Sequence, residues 1–344
     1  MVVKTHIKTL LSRKKVLTIS LIMFFTLLLV MAFSLLLGTA DISLNQIWRL
    51  LSGNHPDDTT SLIILKIRLP RVILAGLVGF ALSLGGVVFQ ALLRNPLADP
   101  FILGVSSGSA FGAITGIILG FSFHLGIPVM SFGGALLTIN LVMLIGTRKM
   151  GMESSTILLT GVIINAFFTA IIMFFISISA DSRLHTMLFW LYGDLSQSHF
   201  TQSAIIAPVV LIAAFVLYGF ARDLNLITSG EESAFQLGVE VEKAKRICFL
   251  LVSLVIGLVV SFSGLIGFVG LIVPHLGRMA FGSDHRLLIP VSCFGGAIFL
   301  VVSDTMARWV ISPSELPVGV ITAFVGAPFF ITLLRKKGSQ WDRS

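Results

Sequence analysis

Charge is scarce in this chain, so the places where it gathers mark where chemistry or contact is possible. Only 12% of the 344 residues are Asp, Glu, Lys or Arg. Many of them fall in one polar island, Ala221 to Arg246 (ARDLNLITSGEESAFQLGVEVEKAKR), with apolar runs on both sides. The middle of the island has the marks of a short helix. Ser229 is a candidate N-cap, Glu232 follows at capping-box spacing, and Gly238 can take the left-handed conformation that ends a helix. Glu231 and Glu232 open this helix, and Ala234, Phe235 and Leu237 are the residues it presents. A helix of two turns is unstable alone in water, so it must lie on something. Two readings stand open: an ordinary loop resting on its own spans, or a helix that docks into a groove of a soluble partner.

Other groups with chemical potential are few. Arg68 and Arg71 (RLPR) and Arg308 stand at the external ends of apolar runs. Snorkelling toward headgroups accounts for such arginines by default. His275 follows Pro274 near an expected helix break. It reads either as a functional intramembrane ionisable group or, more simply, as a donor to a freed carbonyl. His185 and His199 have no carboxylate at ligand spacing and read as solvated surface. Cys248 and Cys293 are isolated in apolar surroundings and read as packing residues, not as a disulfide or metal site. No phosphate loop of the form G-x-x-x-x-G-K-[ST], no H-E-x-x-H and no Cys/His cluster occurs. The chain reads as having no catalytic residues, no metal and no cofactor of its own. The net charge of +8 does not read as nucleic-acid binding, because no basic groove with interleaved aromatics is present.

The elements that must position these groups are membrane spans. The chain is 56% hydrophobic, and many apolar runs reach the length needed to cross a bilayer. The pattern predicts an all-α polytopic protein of about ten spans with both termini cytoplasmic, forming one domain over 1–344. Within it lie a basic head at 1–15, a helical bundle at 16–337, the polar island at 221–246 and a tail at 338–344. Gly38-Thr39-Ala40 resembles a cleavage site, but the apolar run before it exceeds the roughly 7–15 residues of a signal core, so Val16 to Leu37 reads as an uncleaved first span. An amphipathic helix at Ser43 to Leu51 would set Trp48 at the interface, and Trp190 and Tyr192 would anchor the second external segment, residues 178–200. Of the 24 Lys and Arg, only Arg49, Lys66, Arg68, Arg71, Arg183 and Arg308 fall outside, as the positive-inside rule requires.

Between the second and third spans comes Gln90-Ala91-Leu92-Leu93-Arg94-Asn95-Pro96-Leu97-Ala98-Asp99-Pro100, followed by a run rich in Gly and Ser that includes Ser106 and Ser107. Two prolines bracket a break. Irregular backbone at membrane depth is tolerated only inside protein or along a water-filled cavity. A plain turn before a tightly packed helix is the alternative.

Three stretches carry a resemblance: QALLRNPLADPFILGVSSGSAFGA, GEESAFQLGV, and the run from Gly264 to Arg278 with its Pro274-His275 pair. They closely resemble the FecCD-type permeases, the membrane subunits of ATP-driven importers for iron–siderophore complexes, haem and cobalamin. The resemblance implies a type II importer fold and a two-fold dimer with a second copy of the chain. It also implies two copies of an ATP-binding subunit, which would hold ATP and Mg. In the family, the segment matching Glu231, Glu232, Ala234, Phe235, Leu237 and Gly238 sits in a cleft of the ATPase. Arginines at the positions of Arg68, Arg71 and Arg308 would meet acidic residues of a substrate-binding protein. Ser154 and Ser155 would form the cytoplasmic gate, with helix capping by their hydroxyls as the structural alternative. Gln90, Asn95, Pro96, Ser106, Ser107 and Pro274 would mark the pathway and its helix breaks. The implied site of action is the inner membrane of a bacterium, and the first substrate choice is a ferric siderophore, then haem or cobalamin. A secondary transporter without an ATPase is the rival, but the spans offer little charge beyond His275, Arg278 and Asp304.

Overall fold

A computed structural model of the chain describes residues 12–38, 58–101, 103–148, 151–179 and 181–341. The head up to residue 11, the expected external helix with Trp48, and the last three residues lie outside the described residues. The architecture is helical. The first helix, α1 (Arg13–Leu36), leads to α2 (Thr59–Leu92), which contains a π-helical stretch at Ile63–Arg68. Next come α3 (Val105–Ile118), α4 (Gly126–Gly146), α5 (Ser154–Ile178) and the short α6 (Asp181–Leu191). The chain continues through α7 (Phe200–Gly219), α8 (Ala221–Ser229), α9 (Glu231–Gln236) and α10 (Val241–Ser263). It closes with α11 (Val269–Phe281), α12 (His285–Trp309) and α13 (Val318–Trp341). A two-residue antiparallel ladder, Thr147–Arg148 with Gly151–Met152, joins α4 to α5.

Seven of these helices are long and apolar enough to cross a membrane, and α3, α11 and the apolar part of α13 are shorter. Together they account for the expected ten spans. The second external segment contains a short helix, α6. Trp190 on α6 is buried and is therefore no interface anchor, whereas Tyr192 is exposed.

The bundle is organised around α2, which packs against α12, α10, α11 and α7. Some 83% of its most apolar window is buried, against 33% for α5 and for α7. Hydrocarbon is as apolar as leucine, so helices in a bilayer associate by close packing of small residues instead of by expulsion of water. The contacts show this. Gly79 of α2 and Gly296 of α12 meet backbone to backbone, and a Cβ on either would overlap the other's carbonyl. Gly86 of α2 meets the Gly270 carbonyl of α11 in the same way, and Gly108 of α3 meets Gly134 of α4.

Adjacent glycines on α4 provide a matched test. Gly134 faces the Gly108 carbonyl, while a Cβ on Gly133 would meet nothing within 4 Å. Gly134→Val should lower the thermal stability of the detergent-purified protein by at least about 1–3 kcal/mol, the cost of overpacking. Gly133→Val should leave it near wild type. Equal melting shifts for the two variants would contradict this helix crossing.

Candidate functional site

The polar island folds as three pieces. Its first third is helical, forming α8, and Ser229 is the last residue of that helix, not the cap of the next. The Ser229 hydroxyl donates back to the Asn225 carbonyl at 3.1 Å. Gly230, at φ 142°, stands at the N-cap position of α9 without a side-chain cap. The expected capping box is therefore absent, because the turn between two consecutive helices needs the open backbone that glycine allows. The C-terminal expectation holds: Gly238 has φ 86°.

What α9 presents also differs in part from the expected face. Ala234 is fully buried in a small cluster with Ile227, Val239, Val241 and Ala244, so it anchors the segment and is no part of a docking face. Phe235 is 72% and Leu237 65% exposed, with Glu232 exposed beside them. Glu231 turns inward. Its two carboxylate oxygens accept from Lys245 Nζ at 3.0 and 3.1 Å, and Lys245, on the first turns of α10, is buried. A second tie holds α8 to the start of α12. Asn225 Nδ2 donates to Asp284 Oδ1 at 2.9 Å, and Asn225 Oδ1 accepts from the His285 backbone amide at 2.9 Å. Asp284 caps α12 by accepting from the Arg286 amide. The bonds from Arg286, above all, hold its carboxyl down to about 2, from an ordinary value of 3.8. Its folded value is depressed, so this contribution is present above the ordinary carboxylate range and is lost only as the pH falls toward 2.

The helix break sits on the same side as this segment. α2 ends at Leu92, and Arg94 takes φ 48°, a left-handed value uncommon for a residue with a side chain. Asn95 Oδ1 accepts from the Leu97 amide at 2.9 Å, Asp99 Oδ1 accepts from the Phe101 amide at 2.8 Å, and Gly104 at φ 80° starts α3. Pro96 is exposed within this turn. Gln90, buried just before it, donates to the Gly270 carbonyl at 3.1 Å and accepts from Arg278 Nη2. Gln90 thus ties the end of α2 to both ends of α11. Pro274 does not break α11, which runs through it. The irregular backbone comes earlier, at Gly264 and at Phe268 with φ 70°. Pro274 cannot bond the Gly270 carbonyl four residues back, and that freed carbonyl accepts from Gln90 instead. His275 is buried beside the rings of Phe329 and Phe330.

α5 begins at Ser154, whose side chain lies outside the described residues. The Ser155 hydroxyl donates to Glu153 Oε1 at 2.6 Å, and Thr156 donates to Glu153 Oε2 at 3.1 Å. Ser155 therefore does not cap the backbone. Ser106 and Ser107 are buried on α3 and, with Asn165 and Thr169 of α5, line a pocket of about 420 Å³ that is otherwise apolar.

The three external arginines do not project as free charges. Arg71 Nε donates to Asp304 Oδ1 at 2.9 Å and Arg71 Nη1 to Glu315 Oε2 at 2.6 Å. Arg308 Nε donates to the other Asp304 oxygen at 3.1 Å and Arg308 Nη2 to Ser34 Oγ at 2.9 Å. Arg68 Nη1 donates to the Leu35 and Leu36 carbonyls at 2.7 and 3.1 Å, at the end of α1 where a helix favours positive charge. All three are buried, and the cluster joins α1, α2 and α12. Only Glu315 among its acids is half-exposed. It forms one wall of a pocket of about 230 Å³ together with the arginines.

Several of these partners were not visible as site residues in the sequence: Lys245, Asn225, Glu153, Asp304 and Glu315. Asp304 and Arg308 stand at helical i, i+4 spacing, a signal that could have paired them. No periodicity relates Glu231 to Lys245. His185 and His199 are exposed, and both cysteines are buried and free. No group of three or more His, Cys, Asp or Glu suited to a metal occurs among the described residues.

Comparison with known proteins gives the geometry a family. The FecCD transport family profile matches residues 26–336. The cobalamin import system permease protein BtuC of Halobacterium salinarum is 42% identical over 280 residues, covering 81% of this chain and 75% of that protein. The hemin transport system permease protein HmuU of Yersinia pestis is 38% identical, covering 91% and 95%. A solved structure of a metal-chelate type ABC transporter in an inward-facing conformation superposes with a TM-score of 0.83 at 32% identity. That match covers 93% of this chain and 99% of the other. The fold is shared along nearly the whole chain, and the chain belongs to the FecCD transport family of ABC importer permeases.

Proposed function

We propose that the chain is the membrane-spanning subunit of an ATP-driven importer for a metal chelate, working as a dimer in the inner membrane of a bacterium. A separate ATP-binding subunit supplies the energy, and a substrate-binding protein delivers the cargo. The observation that carries this reading is α9. Phe235 and Leu237 are exposed at an element too short to need them outward, on a segment anchored to two spans. A short helix with apolar residues held out in this way suits a groove in a soluble partner. The uncharged lining of Ser106, Ser107, Asn165 and Thr169 suits a large organic chelate better than a bare cation, which would draw carboxylates. A ferric siderophore is the first cargo to test, with haem and cobalamin alongside, since relatives are named for hemin and cobalamin.

The docking of a binding protein would use Arg68, Arg71 and Arg308. Their burial narrows how. Arg71 already grips Glu315, so an incoming carboxylate would take the place of Glu315 at the edge of the cluster, leaving Asp304 to hold the core.

Two outcomes test these points. Phe235→Glu with Leu237→Glu changes exposed side chains only. It should leave folding intact and lower ATP-dependent uptake of labelled ferric hydroxamate, hemin or cyanocobalamin into vesicles by at least about tenfold, the scale of one lost hot-spot contact. Unchanged uptake would contradict the coupling role. Glu315→Gln should tighten capture of the co-purifying substrate-binding protein by about fivefold, the worth of one partly exposed ion pair. Unchanged affinity would show that the arginine cluster serves the fold alone. Reversal of Arg308 is a poor test, because it would set two carboxylates against each other in a buried place.

A further inference from the structure

Three stretches far apart in the sequence meet at one cytoplasmic pocket of about 380 Å³. Leu93 and Arg94 come from the end of α2, Glu153 and Ser155 from the start of α5, Glu231 from α9 and Lys245 from α10. The helix break, the expected gate and the expected coupling helix thus share one small volume. Lys245 is one of its two basic lining residues. It is 2% exposed, and both oxygens of Glu231 lie within hydrogen-bond distance of its ammonium.

We propose that Lys245 is a positioning residue for transport: its ion pair with Glu231 is the joint through which displacement of α9 is passed to α10 and to the α5 wall of the pocket. The proposal rests on the ATP-coupled reading above and reassigns Glu231 within it, from a contact with the ATPase to the inner grip on the spans. The physical ground is the cost of a stranded charge. A buried ammonium that loses a carboxylate partner is heavily penalised, whereas apolar contacts slide at little cost. Parting α9 from α10 is therefore costly unless Lys245 moves with Glu231 or is taken up by another carboxylate. Glu153 lines the same pocket, at the N-cap of the helix that opens with Ser154 and Ser155. A pocket holding two carboxylates and two basic groups from four elements is a place where packed helices can adopt discrete arrangements. The outward face of α9, Phe235 and Leu237, receives the push, and its inward face, Glu231, hands it on.

The test uses the purified importer complex in lipid vesicles and reads chelate taken up per ATP hydrolysed. The probes are labelled ferric hydroxamate, hemin and cyanocobalamin, whichever the wild type transports. Glu231→Gln and Lys245→Met should each keep the ATPase bound and hydrolysing while uptake per ATP falls at least about tenfold. The exchanged pair Glu231→Lys with Lys245→Glu should recover most of that loss. The apolar pair Glu231→Leu with Lys245→Met leaves no stranded charge and should fold, yet remain uncoupled. Recovery of uptake per ATP in the apolar pair would show a merely structural contact and overturn the proposal. So would normal coupling in the single variants, an exchanged pair no better than they are, or loss of the ATPase from the Glu231→Gln complex. Absence of ATP-driven uptake in the wild type would instead overturn the importer reading itself.

Discussion

A polar group inside a membrane bundle has no water to turn to, so it must find its partner within the protein. That constraint explains where the sparse charge of this chain has gone. Asp304 serves two guanidinium groups at once, Arg71 and Arg308. Gln90 is held between the Gly270 carbonyl and Arg278. Lys245 closes on Glu231. Arg71–Asp304 and Gln90–Arg278 join helices distant in sequence, and Glu231–Lys245 joins two consecutive ones; each lies near a span end or a backbone break. Between these ends the spans are joined by glycine-mediated backbone contact, with α2 at the centre. Polar links at the rims and close packing in the middle leave the long apolar faces free for lipid.

The two rims differ in kind. On the external side the arginine cluster is closed in on itself, with one half-exposed carboxylate, Glu315, at its edge. On the cytoplasmic side the polar island is anchored by Glu231–Lys245 and Asn225–Asp284, while Phe235 and Leu237 remain outward. The external arginines are buried, whereas the cytoplasmic segment holds both apolar and charged side chains outward.

Much of the fold was legible in the sequence because span length and apolarity are read directly from composition. The ten spans, the break at Asn95 and Pro96, and the left-handed end at Gly238 follow from local chemistry. What was not legible is which side of a short polar helix faces inward. Glu231 and Glu232 are neighbours of the same type, yet one is gripped by Lys245 and the other is exposed. Ala234 is small enough to suit a docking face or a packed core, and the satellite cluster decided for the core. Ser229 satisfied the spacing of a capping box, but a helix already occupied the residues before it. The arginines looked free because their acidic partners, Asp304 and Glu315, lie over two hundred positions from Arg71. Tertiary pairing at that separation leaves no trace in periodicity.

The account's central claim is that this subunit borrows its energy from a bound ATPase. The most direct measurement is a gentle purification of the tagged chain from its native membranes, with mass spectrometry of whatever accompanies it. An ATP-binding subunit in amount equal to this chain is the predicted result. A chain that emerges alone and transports in liposomes without ATP would contradict this, and α9 would then couple to nothing.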